Sequence, residues 1–219
     1  MKPCNKMARG ALIVIEGCDR SGKTSQCHKL DFLFFQNIDA KYMNFPDRTT
    51  AIGQIIHQYL VSKVNLPDEV IHLLFSANRW ELSAAVRQEL QRGTTLVMDR
   101  YAYSGVAFSA AKGLDVEWCK SPDVGLPRPD KVFLLTLSPE ALAKRKGFGE
   151  ERCEFAKTRE RFFFFTRFFF NVDSCGLKHT RFFYMIQQKS EMTITFIVHL
   201  SNKMCVFFRY LIIKFKSVV

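Results

Sequence analysis

The run Gly17-Cys18-Asp19-Arg20-Ser21-Gly22-Lys23-Thr24 has the spacing G-x-x-x-x-G-K-[ST], which suits the holding of a polyphosphate. Its glycines, Gly17 and Gly22, let successive backbone N–H groups curl around phosphate oxygens, and a helix starting at the loop's end adds partial positive charge. Lys23 is expected to reach β- and γ-phosphates, and the Thr24 hydroxyl to ligate Mg²⁺. Ser21 and Ser25 belong with the loop as nucleotide contacts. The bland reading is a chance glycine turn before a helix, and the correct order of strand, loop and helix stands against it. Cys18 reads as a small filler rather than a redox switch.

Three further segments carry cations that could face a second phosphate: Phe45-Pro46-Asp47-Arg48, Ser76-Ala77-Asn78-Arg79-Trp80 and Asp99-Arg100-Tyr101. Arginine suits that task because its planar fork makes two parallel charge-assisted hydrogen bonds. Taken singly, each is as readily a solvated surface charge.

These residues need a frame. Gly10 to Glu16 (GALIVIE) is a short apolar run rich in β-branched residues, which predicts a buried parallel strand ending at the loop. A helix is predicted from Gly22 to about Asn37. Strands are predicted over Asp39–Phe45, stopped by Pro46, over Thr94–Asp99 and over Asp130–Leu137. Between Leu66 and Arg92, Val70, Leu73, Leu74, Ala77, Leu82 and Val86 recur at mostly three- and four-residue spacing, predicting one long amphipathic helix with Pro67 in its first turn. Strands alternating with helices imply an α/β fold, a parallel sheet with helices on both faces and ligands at the strands' carboxyl ends.

A phosphate loop is shared by GTPases, motor ATPases and small-molecule kinases. No Asn-Lys-x-Asp guanine-reading segment is present, since Asn5-Lys-Met-Ala and Asn202-Lys-Met-Cys both lack the acid. A chain of 219 residues without coiled-coil heptads is small for a motor, and its length suits a single domain spanning residues 1–219.

The net charge of +11 is unevenly spread. Residues 156–219 hold 11 Lys and Arg against 3 Asp and Glu, together with 13 of the 22 phenylalanines, so the preceding part is nearly balanced. Seven cysteines without a Cys-x-x-Cys pair suggest a reducing compartment, neither a disulfide framework nor a zinc site. The start lacks the apolar run of a secretory signal, and no stretch of about 18 uncharged apolar residues occurs. The expectation is a cytoplasmic, alternatively nuclear, protein without a membrane or nucleic-acid partner.

Taken in order, IEGCDRSGKTSQ (15–26), NFPDR (44–48), HLLFSANRW (72–80), DRYAYSGVAFSAAK (99–112) and WCKSPDVGLPRPD (118–130) closely resemble the eukaryotic thymidylate kinases, over residues 9 to 154. The resemblance implies a P-loop kinase that moves the γ-phosphoryl of ATP, with Mg²⁺, onto dTMP. By it, Asp19 would bind the acceptor's sugar 3′-hydroxyl and Arg20 would bridge donor and acceptor phosphates. Arg48 and Arg100 would hold the acceptor phosphate, and Asp99 would organise Mg²⁺ and its water. Phe75 would stack on the base and Arg79 would hydrogen-bond its carbonyl edge, with Phe45, Ser104, Gly105 and Phe108 completing the pocket. Catalysis would consist of alignment and charge stabilisation, with no covalent enzyme intermediate. A homodimer using the long helices is implied as well.

Residues 145–155 resemble the family's lid, with Arg145 as a nucleotide contact, but Cys153 stands where the pattern has tyrosine. Beyond Phe155 the resemblance nearly vanishes. The family's final strand has no recognisable counterpart, and Met192–Leu200 (MTITFIVHL) offers a substitute. Three readings of residues 156–219 stand: a divergent but folded completion of the domain, a basic aromatic surface for membrane or nucleic acid, or an abnormal end such as translated non-coding sequence. Two rival functions stand as well. One is an inactive nucleotide-binding protein; the other is a deoxynucleoside kinase, against which three arginines on the acceptor side argue.

Overall fold

A computed structural model describes residues 9–17, 19, 21–28, 39–136, 181–188, 191–197 and 207–208. Strand β1 (Leu12–Gly17) is buried along nearly its whole length, as expected for a strand covered on both faces. It pairs in parallel with β3 (Thr95–Asp99) on one side and β4 (Lys131–Thr136) on the other, and β2 (Ala40–Asn44) pairs in parallel with β3. The register sets Ile15 opposite Asp99, and Asp99 opposite Asn44, so the residues just beyond these strands emerge together at one carboxyl edge.

Alternation along the strands divides the core between two faces. Leu12, Val14, Leu96, Met98 and Val132 pack with Val86 and Leu90 of helix α3 (Asp68–Gln91). Ile15, Val97 and Leu135 pack with Cys27 of helix α1 (residues 23–28); the remainder of the helix predicted to about Asn37 lies outside the described residues. Helices therefore flank both faces of the sheet.

The predicted helix over 66–92 forms as α3, with Pro67 at its N-cap and Asp68 and Glu69 in the first turn, where carboxylates favour the helix dipole. Its buried face differs from the predicted apolar stripe. Val70 and Leu73 are exposed, whereas His72, Ser76, Asn78, Arg79 and Ser83 are buried. The reason is that α3 lies along a polar cleft, so hydrophobic periodicity misreports which face points inward. Helix α2 (Ala51–Leu60) is capped by Thr50, whose hydroxyl accepts from the Gly53 N–H at 3.0 Å. Helices α4 (Ala102–Ala111) and α5 (Val116–Lys120) follow β3.

The sheet continues beyond β4. Arg181–Gln188 forms β5 parallel to β4, and Glu191–Ile197 forms β6 antiparallel to β5, with β7 (Phe207–Phe208) outside it. The Met192–Leu200 run thus contributes to the antiparallel partner rather than to the fifth parallel strand. Only residues 189 and 190 separate β5 from β6, and so short a link admits only antiparallel pairing.

His72 cross-links three helices from a fully buried position. Its Nε2 lies 2.9 Å from the Cys119 carbonyl, which can only accept, so Nε2 carries the proton and Nδ1 accepts from the Ser109 hydroxyl at 2.7 Å. Burial lowers its pKa below 6.5, with Arg79 adding to the shift and the Cys119 carbonyl and Asp123 opposing it. The unfolded chain therefore takes up a proton near pH 6.5 that the folded chain resists. The stability this histidine contributes is present above that pH and lost as pH falls below it, by up to about 1.4 kcal/mol per pH unit. Thermal melts between pH 7.5 and 5.5 are expected to show a steeper fall in wild type than in His72→Gln; equal slopes would contradict the assignment.

Candidate functional site

A cleft of about 750 Å³ opens at the carboxyl edge of the sheet. On one wall β1 runs into the phosphate loop. A Cβ on Gly17 would lie 2.4 Å from the Leu135 carbonyl oxygen, so only glycine fits there, and Gly22 has φ 90°. The helix then starts at Lys23. Lys23 is buried, and burial, reinforced by Arg100, lowers its pKa to about 8, while Asp19, Asp99 and Glu16 act in the opposite sense. The Thr24 hydroxyl donates to Asp99 Oδ2 at 2.5 Å, bringing two oxygen ligands suited to a hard cation together at the cleft. Ser21 has a buried hydroxyl with no hydrogen-bond partner among the described residues, and Ser25 is exposed at the rim.

Three arginines line the same cleft. Arg100 follows β3 with φ 69°, its backbone N–H donating to the Ile15 carbonyl at 3.0 Å. Its guanidinium pairs with Asp19, donates to Ser104 Oγ at 3.0 Å and lies 5.6 Å from the centre of the Phe108 ring. Arg48 donates to Nδ1 of His57 at 3.1 Å. Its loop is clamped by Asn78, whose amide accepts from the Asp47 N–H at 2.8 Å and donates to the Asp47 carbonyl at 3.1 Å. Arg79 donates through Nε and Nη2 to the two carboxylate oxygens of Asp123, at 3.0 and 2.7 Å. Gly105 faces that guanidinium, and a Cβ there would sit 3.0 Å from Nη2.

Aromatic rings complete the walls. Phe75 packs against the cluster of Ile56, Tyr59, Leu60 and Ile71, and Phe108 against Val106, Ala107 and Cys119; both line the cleft. Phe45 lines it too, mostly buried, its ring 5.8 Å from that of Tyr101. At the far end Lys112 donates to the Tyr59 hydroxyl at 2.9 Å and to Asp68 at 2.7 Å, tying α4 to α2 and α3.

The cleft therefore brings together Asp19, Gly22, Lys23, Thr24, Ser25, Phe45, Arg48, Phe75, Arg79, Asp99, Arg100, Ser104, Gly105 and Phe108. Arg20, Arg145 and Cys153 lie outside the described residues. Sequence reasoning missed Asp123, which holds Arg79 directly, and Glu16 and Asn78, which hold the backbone and side chains beside Arg100 and Arg48. The Glu16 carboxylate, almost fully buried, accepts from the Tyr101 N–H at 2.9 Å, the Ser104 N–H at 3.2 Å and the Ser104 hydroxyl. Burial raises its pKa, against the Ser104 hydroxyl, the charge of Arg100 and the two backbone N–H groups. An acid closing an otherwise apolar strand was the available signal.

A phosphate loop after a central parallel strand, sharing one cleft with Arg48, Arg79 and Arg100, defines a P-loop NTPase fold. The thymidylate kinase family model matches residues 15–175. The chain is 56% identical to the thymidylate kinase of Schizosaccharomyces pombe over 158 residues, covering 72% of this chain and 75% of that protein. It is 50% identical to the thymidylate kinase of Homo sapiens over 155 residues, 70% of this chain and 73% of that protein. The solved thymidylate kinase of Candida albicans superposes with a TM-score of 0.72 at 38% identity, covering 83% of this chain and 86% of that one. This chain belongs to the thymidylate kinase family, ATP-dependent nucleoside monophosphate kinases.

Proposed function

We propose that the protein transfers the γ-phosphoryl of ATP to dTMP, giving ADP and dTDP for dTTP synthesis. The observation that carries this reading is the sharing of one cleft by the phosphate loop and by Arg48, Arg79 and Arg100, flanked by the Phe75 and Phe108 rings. Arg48 and Arg100 fit a phosphorylated acceptor better than an uncharged nucleoside, while the rings give a flat base a face to stack on and Arg79, its charge paired with Asp123, is left to meet the base edge.

Lys23 holds the β- and γ-phosphates, while Arg48 and Arg100 bring the acceptor phosphate in line with the γ-phosphorus. An acceptor phosphate oxygen forms the new P–O bond as the bond to the β-γ bridging oxygen breaks, and that oxygen leaves on ADP. An anionic phosphate needs no strong base, so the residues act by alignment and by neutralising charge. Thr24 and Asp99 would hold Mg²⁺ with the ATP phosphates; the ion would neutralise charge on the transferring group. By the resemblance, Asp19 would meet the sugar 3′-hydroxyl and Arg20 would bridge the two phosphates. Val70, Leu73 and Trp80, each exposed by 40% or more on α3, support a homodimer through this helix, which sedimentation can measure.

A coupled ADP-release assay on the full chain with Mg-ATP, offering dTMP, dUMP, dCMP and thymidine separately, tests the reading. Turnover with dTMP and little with thymidine is expected. ATP binding without turnover of any acceptor would favour an inactive nucleotide-binding protein, and preference for thymidine a deoxynucleoside kinase.

A further inference from the structure

Arg79 is an unusual base reader in that its charge is almost wholly removed from water. Its side chain is 2% exposed and that of Asp123 is 7% exposed, yet Arg79 still lines the cleft. Breaking such a pair is costly, but keeping one contributes little stability over apolar residues of similar volume. What it does supply is orientation. Nε and Nη2 are both engaged by one carboxylate, which fixes the plane of the guanidinium. Nη1 donates to no described residue and lies 3.2 Å from where a Gly105 Cβ would be, so the absent side chain leaves room beside it at the cleft.

Asp123 is itself held from the same helix. The Ser76 hydroxyl lies 2.7 Å from Asp123 Oδ1 and 3.1 Å from the Pro122 carbonyl, and Trp80 Nε1 donates to that carbonyl at 2.6 Å. Ser76, Arg79 and Trp80 stand at i, i+3 and i+4, so one face of α3 grips the two-residue segment that aims its own arginine.

We propose that Asp123 is the positioning residue that sets how Arg79 meets the acceptor base, and so a determinant of selection for a base bearing a carbonyl over one bearing an amino group. The proposal rests on the dTMP kinase reading. A guanidinium has only donors, so held in one plane it accepts a carbonyl partner and rejects an amino group; released, it can turn away and lose that discrimination.

The test measures kcat and KM for dTMP and dCMP, with thermal stability, in wild type, Asp123→Asn and Ser76→Ala. In Asp123→Asn the amide can no longer accept from both Nε and Nη2. Its kcat/KM for dTMP should fall about tenfold, mainly through KM, with that for dCMP changed less than about threefold, so that the preference narrows. Ser76→Ala removes one support without stranding a charge, and should narrow it in the same direction by a smaller factor. A preference unchanged in both variants, whatever happens to stability, would overturn the proposal; if Asp123→Asn does not fold, Ser76→Ala decides alone. Wild-type protein that does not turn over dTMP overturns the parent reading instead, and is seen before any variant is compared.

Discussion

Arg100→Ala is expected to lower kcat/KM for dTMP by on the order of 10³-fold, the upper range for removal of one preorganised donor from a charge-developing site. Arg100 joins both halves of the cleft. It pairs with Asp19 of the phosphate loop, bonds Ser104 of α4 and adds to the lowering of the Lys23 pKa. Its backbone gives a second, independent readout. At φ 69° a residue with a Cβ costs about 1 kcal/mol that glycine avoids. Arg100→Gly should therefore be more stable than Arg100→Ala by about that amount, while both show the same large loss of kcat/KM. Such a pairing of strain with function is what a site residue held against its own preference predicts. Urea unfolding and steady-state kinetics on the two variants measure both quantities, and wild-type kinetics in either would remove Arg100 from the acceptor site.

What the sequence disclosed follows from how locally each feature is encoded. A strand buried on both faces must be an apolar run, so β1 and β3 were legible to within two residues at either end. The phosphate loop was legible because its constraint is on backbone shape within eight consecutive residues. Helix α3 was legible as a helix but not in its facing, because a helix that lines a cleft buries Ser76, Asn78 and Arg79 and exposes Leu73. Glu16 and Asp123 were illegible for another reason. Their partners are distant in sequence, at separations of 85 and 88 residues for Glu16 and 44 and 47 for Asp123, and only parallel pairing and helix packing bring them together. Strand β5 (RFFYMIQQ) lies beyond the resemblance and has no clean alternation, and its place in the sheet is set by pairing with β4.

Glu16→Ala is expected to destabilise the fold by about 3 kcal/mol and to lower kcat/KM for dTMP by about 10²-fold, although Glu16 lies beneath the site. Helix α4 begins at an N-cap, Tyr101, whose own side chain makes no capping bond. The cap comes instead from β1, where one oxygen of Glu16 accepts from the N-cap N–H and from the Ser104 N–H, three residues on. Alanine leaves both donors buried and unpaired. The other oxygen takes the Ser104 hydroxyl proton, which turns that hydroxyl's lone pairs toward Arg100 Nη1. Glu16, Ser104 and Arg100 thus form a chain from the core to the acceptor wall, and a shift of about 1 Å at its end is enough for the kinetic loss. Glu16→Gln separates the two roles. Its carbonyl oxygen can still cap α4, so most of the stability should return, whereas its amide cannot accept the Ser104 proton and carries no charge to face Arg100. Recovery of stability without recovery of kcat/KM is the expected result. Kinetics that return together with stability in Glu16→Gln would reduce Glu16 to a helix cap and leave the placement of Arg100 to its own backbone.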